Sequence, residues 1–304
     1  MTTKHSGHGT FLFPPVTISQ SGNKNLAKCI PNQRLIELDL NLAKDIRILV
    51  TEDGFIAPIT KLIASENERL LNIIIATLTT KFTPSRLPSW ASDWAEFRYE
   101  DGQNFIEVGF AKGGFSIRNQ AEFERDDEAT FHFWVDMPRI SITTTNLKGF
   151  LEQAFRFYNN SEYADDLLLI GESWSLSYEG MENASFLYSW MIVEKMIEQT
   201  WRKYVESLQR SPNEKDFLKS HNSWYISHMI QALSFAGKLD DDTRESLNKL
   251  RKIRNDIVHN RYRVTKEESL DCLNLSTELV YDKLNYGENY LIQHRKLHSE
   301  LQKS

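Results

Sequence analysis

Two stretches of the chain each carry one charged residue inside an otherwise apolar helical stripe, and this restricts the fold more than any other feature. Leu187, Trp190, Glu194, Ile197, Trp201, Tyr204 and Leu208 keep a three-four alternation, the spacing that places side chains on one side of a long helix. Leu247, Leu250, Arg254 and Ile257 repeat it. A lone charge is costly to bury, whereas opposite charges that face each other offset much of that cost. The spacing therefore predicts two packed helices in which Glu194 contacts Arg254. Such a pair serves either the core alone or a reactive guanidinium.

The neighbouring segments extend this into an all-helical bundle over residues 161–304. A short helix is expected within 163–178. Ser211-Pro212-Asn213 breaks the long helix, and a shorter one over 223–237 turns Trp224, Met229, Ile230 and Leu233 inward. Asp242 followed by Glu245 has capping-box spacing at the start of the helix that carries Arg254, and Asn260 tolerates the left-handed conformation that would end it. Thr265 with Glu268 opens a last helix through Leu270, Leu273, Thr277, Val280 and Leu284.

The first half reads differently. Residues 1–34 hold Pro14-Pro15 and Ser21-Gly22-Asn23 and read as an extended lead-in. Residues 35–50 fit neither a helix nor a strand pair cleanly, and 60–80 have helical spacing. Apolar and polar residues then alternate over 94–99, 105–110, 115–117, 130–135 and 140–144, between turn signals at Asp101-Gly102, Gly113-Gly114 and Asp126-Asp127. These predict a short antiparallel sheet of about four or five strands, and 147–158 resumes as a helix. The expected fold class is an α+β N-terminal domain over 35–160 followed by the all-α bundle. Trp90, Trp94, Phe131, Phe133 and Trp134 are read as sheet core, with a base-stacking shelf as the other possibility.

Several chemistries lack their residues. Neither GxGxxG nor GxxxxGK[ST] is present, and no Ser-His-Asp order or HExxH stands in the 304 residues. Cys29 and Cys272 are isolated, so neither a disulfide framework nor zinc spacing arises, and a reducing cytoplasm is expected. The histidine pairs His5/His8, His221/His228 and His294/His298 lack companion ligands, so no metal and no cofactor is expected. No apolar run is long enough for a membrane span. The net charge of -6 argues against a surface coated with nucleic-acid contacts. Locally the balance reverses: Lys249, Arg251, Lys252, Arg254, Arg261 and Arg263 face one acid, Asp256, between positions 249 and 263. Such a patch suits a phosphate-bearing substrate, although basic residues also gather at helix C-termini to oppose the dipole.

The segment Arg254-Asn255-Asp256-Ile257-Val258-His259 is the one place that suggests a reaction. Arg254 supplies a fixed cation. His259 lies near the helix end, where a cation is favoured and an imidazole can give and take a proton. Asn255, four residues before it, shares its face and could orient the ring or a substrate oxygen. This RNDIVH motif, on the penultimate long helix of a bundle, resembles that of the HEPN domain. The resemblance implies a dimer about a two-fold axis with motif helices adjacent, and commonly a metal-independent endoribonuclease; other members have no known catalysis. Tyr262, three positions after His259, departs from a toxin subgroup that places its tyrosine two positions after the histidine.

Cleavage by RNA's own 2′-hydroxyl needs a proton-transfer group, a cation for the phosphorane and a polar orienting group. His259, Arg254 and Asn255 fit those roles, with Glu194 completing the catalytic set. Lys249, Arg251, Lys252, Arg261, Tyr262 and Arg263 are the expected substrate contacts. The expected products are a 2′,3′-cyclic phosphate and a 5′-hydroxyl. The expected protein is a cytoplasmic homodimeric ribonuclease, a toxin or defence effector with RNA as partner and an antitoxin or regulator in addition. The alternative is a non-catalytic binding or dimerisation module serving an N-terminal sensor.

Overall fold

The computed structural model describes residues 2–12, 16–19, 33–79, 95–110, 140–220 and 224–286. Two compact units divide the chain, Met1–Ala164 and Asp165–Ser304.

The first unit is built on strands β1 (Lys4–Phe11), β2 (Val16–Ser19), β3 (Gln33–Ala43), β4 (Ile46–Thr51), β5 (Phe55–Thr60), β6 (Ala95–Glu100), β7 (Phe105–Phe110) and β8 (Ile140–Thr143), with helices α1 (Ala64–Thr79) and α2 (Thr144–Tyr158). Six of the strands close into an antiparallel barrel in the order β1-β5-β4-β3-β7-β6. Period-two alternation makes its interior: Ala95, Phe97 and Tyr99 point in from β6 while Glu96 and Arg98 are exposed. They pack with Leu49, Phe55, Ala57, Ile106 and Val108.

Two sequence expectations change here, and one ambiguity is resolved. Lys4–Phe11 belongs to the barrel rather than to a lead-in outside it, paired with β6 from Lys4 opposite Glu100 to Gly9 opposite Ala95. Its glycines resemble loop signals but serve close packing, since a Cβ at Gly9 would lie 2.3 Å from the Ile56 carbonyl oxygen. The ambiguous stretch 35–50 falls in the β3–β4 hairpin, whose register shifts between Ile36 and Leu38 and again between Asn41 and Ala43. Each shift breaks the alternation and blurs the period. Ile140–Thr143 does not join the antiparallel sheet; it pairs in parallel with β2, Val16 opposite Ile140. The expected strands at 115–117 and 130–135, and Trp90, Trp94, Phe131, Phe133 and Trp134, lie outside the described residues.

The second unit contains most of α3 (Ser161–Tyr178), then α4 (Glu182–Ser207), α5 (Pro212–Lys219), α6 (Ile226–Phe235), α7 (Asp241–Asn260) and α8 (Lys266–Tyr286). Helix α4 packs against α5, α6, α7 and α8, which explains why it is buried over a wide arc. Its core seam runs Phe186, Trp190, Val193, Ile197, Trp201 and Val205. Leu187, Glu194, Tyr204 and Leu208 are only half-buried beside that seam. Spacings of three and four both fit a period of 3.6, so the sequence alone left the register one residue adrift. Among the described residues of this unit lies an ionic group that no motif announced: Asp166, 1% exposed, accepts from Lys195 at 2.5 Å and from Lys283 at 2.8 Å. It ties α3 to α4 and α8, and shared hydrogen bonds offset the desolvation of its charge.

Candidate functional site

Helix α7 is anchored by Leu247, Leu250 and Ile253, which are buried. Ile253, not Arg254, continues the seam, and Arg254 sits half-buried beside it. The helix opens with Asp240, whose carboxylate accepts from the Thr243 N–H at 2.8 Å, so the cap lies two residues before the expected Asp242. It ends at Asn260 as expected, but the left-handed conformation falls on the next residue, Arg261, with φ 53° and ψ 33°.

Arg251, Arg254 and Asn255 line a cleft of about 310 Å³ with Trp190 and Glu194 from α4 and with Tyr225, the residue that precedes α6. The predicted contact between Glu194 and Arg254 is not made. Glu194 accepts from the Trp190 indole N–H at 3.0 Å, and the Arg254 guanidinium donates to the Asn255 side-chain oxygen at 3.1 Å. Both charges are only half-buried, so the water loss that would force them together is incomplete. The Asn255 oxygen is engaged by Arg254 and does not orient the His259 ring. Arg251 is different: its Nε–H is covered and meets no acceptor among the described residues. A buried unpaired donor of this kind costs about 1–3 kcal/mol.

His259 stands exposed in the last turn of α7 and does not line the cleft. No hydrogen-bond partner of its ring is found among the described residues. The expected substrate contacts divide. Arg251 is in the cleft, Lys252, Arg261 and Arg263 are exposed, and Lys249 is paired with Asp271 of α8 at 3.3 Å. Tyr262 donates its hydroxyl to Glu268 at 3.1 Å, and this bond to a carboxylate holds its ionisation above the ordinary phenol value. Acids from α4 and α8 thus border the basic patch, a feature that chain order hid.

Sequence reasoning read Trp190 only as part of a buried stripe and passed over Tyr225 and Asn183. The Asn183 amide donates to the Tyr262 carbonyl at 3.0 Å and accepts from the Val264 N–H at 2.9 Å, clamping the loop after α7 from both sides. A single asparagine at a helix start gives no local sign of that reach. Trp190 had a usable one, four residues before Glu194.

Burial pushes the Cys272 thiol far up, away from nucleophilic use. Among the described residues no group of three or more His, Cys, Asp or Glu side chains is placed to hold a metal ion. No described helix is long and apolar enough to cross a membrane. The histidine pair at 294 and 298, His221 and Cys29 lie outside the described residues. No protein-family model, curated protein or solved structure matches the chain.

Proposed function

We propose that the helical unit is a HEPN-like, metal-independent endoribonuclease that works as a homodimer. The observation that carries this reading is the orphaned Arg251 Nε–H in a cleft that also holds Arg254. Two guanidinium groups, one with an unmet donor, suit an acceptor-rich anion, and a phosphodiester offers paired oxygens in the right geometry. Arg254 stabilises charge on the phosphorane, Asn255 positions a substrate oxygen and His259 moves the proton. Glu194 is placed to accept from a ribose hydroxyl or a base edge beside Trp190. Because His259 lies outside the cleft of its own chain, a two-fold pairing that sets α7 against its copy supplies the missing ring.

The position of His259 also favours a second reading, a module that binds RNA without cutting it. Incubation of total RNA with purified protein in the presence of a chelator separates the two. Under the first reading cutting survives chelation, leaves 2′,3′-cyclic phosphate ends, and falls at least about a hundredfold in His259→Ala and Arg254→Ala variants that still dimerise. Binding without cutting by any form would establish the second reading.

A further inference from the structure

Strand β1 is bonded to β6 from Lys4 to Gly9, but its other edge meets β5 only at Thr10 opposite Ile56 and Phe11 opposite Phe55. Residues 4–9 and 57–60 therefore face one another without a ladder. Pro58 stands in that half of β5 and has no N–H to donate, so the pairing cannot continue through it. Residues of β1, β5 and α1, with Phe97 of β6, line a cleft of about 810 Å³. That size lies in the range of roughly 300–1,000 Å³ common to small-molecule sites.

Its walls differ in character. Lys4, His5 and His8 come from β1, with His5 held by Asp101 at 3.2 Å and stacked on Tyr99. Pro58, Ile59, Leu62 and Phe97 are apolar. The α1 wall offers acceptors, Asn67 and the exposed Glu68, and the Asn67 side-chain oxygen is covered with no hydrogen-bond partner among the described residues. A buried acceptor without a donor is uncommon in a finished core.

We propose that the cleft lined by β1, β5 and α1 binds a small organic anion with a flat apolar body and an N–H donor. The anionic end lies toward Lys4 and His8, the body over Phe97 and Ile59, and the donor against Asn67. Glu68 beside Asn67 disfavours the reversed orientation and a second negative charge at that end. This site is independent of the cleft on α7.

The probe is 8-anilinonaphthalene-1-sulfonate, a fused-ring sulfonate with one N–H whose fluorescence rises when water is excluded. Titrated into the full chain, it is expected to saturate at one site per chain. Lys4→Glu and Asn67→Leu are expected to weaken that site at least about tenfold, and Ser6→Trp to abolish it by filling the cleft. Near-UV circular dichroism and the melting temperature of each variant establish whether it is folded. Absence of saturable binding overturns the proposal. So does saturable binding with the same affinity in Lys4→Glu and Asn67→Leu.

Discussion

At the scale of single residues, Arg261 is the sharpest case of a side chain kept where the backbone disfavours it. It is the only described non-glycine residue with positive φ, and a left-handed conformation costs a residue with a Cβ about 1 kcal/mol or more. Glycine is the usual solution after a helix. Arg261→Gly should therefore leave stability unchanged or raise it by up to about 1 kcal/mol, since the gain is partly offset by the freer unfolded chain. Urea unfolding measures this, and a clear loss would show that the arginine side chain itself holds the loop. Under the nuclease reading the same variant binds RNA more weakly, with a salt slope reduced by about one. Stability and binding would then move in opposite directions. Position 261 was legible only as a member of a basic run. Its geometry was not, because sequence favoured Asn260 as the left-handed residue, whereas Asn260 stays helical and Arg261 takes that conformation.

Among elements, helix α8 shows how far a local motif can be trusted. The Thr265 hydroxyl accepts from the Glu268 N–H at 3.2 Å, and the Glu268 carboxylate accepts from the Thr265 N–H at 2.9 Å, a capping box as the sequence predicts. The Thr265 backbone N–H, and then its hydroxyl and that of Tyr262, hold the Glu268 carboxyl below its ordinary range. A depressed carboxyl stabilises the fold above its unfolded value and loses that contribution as pH falls through the folded one. The melting temperature of the native protein should thus exceed that of Glu268→Gln at pH 7, with the difference shrinking as pH falls below the ordinary glutamate range. A constant difference across that window would exclude the carboxylate as its cause. This cap was readable because its partners are three residues apart, whereas that of α7 fell on Asp240 and not on the expected Asp242. The seam of α4 was not readable, nor the partner of Glu194: periodicity selects a helix face but does not reveal that the Trp190 indole reaches the carboxylate first. In the same way Gly7 and Gly9 looked like loop residues, because the Phe97 ring and the Ile56 carbonyl they make room for lie far along the chain.

At the scale of the whole molecule, the two units differ in how their contacts are distributed along the chain. Helices α6 and α7 follow each other and pack together, although α4 also packs on the more distant α8. The class of each half, a sheet-bearing α+β unit and then helices, was legible because it rests on a change of period from two to 3.6. Barrel closure was not, because it depends on which distant strands meet. Lys4 pairs with Glu100, and Val16 pairs with Ile140. Closing such long loops must precede the contacts that reward it, so topologies of this kind fold slowly. A nascent chain cannot complete its first unit until residue 143 has left the ribosome, and β1 and β2 must wait with their edges open meanwhile. Pulse-labelled hydrogen exchange during refolding should find the amides of α4 and α7 protected before those of β1 and β2, and equal early protection of β1 would contradict this order. The strands made first are thus among the last to find their places, which leaves the barrel more dependent than the helices on protection from aggregation during synthesis.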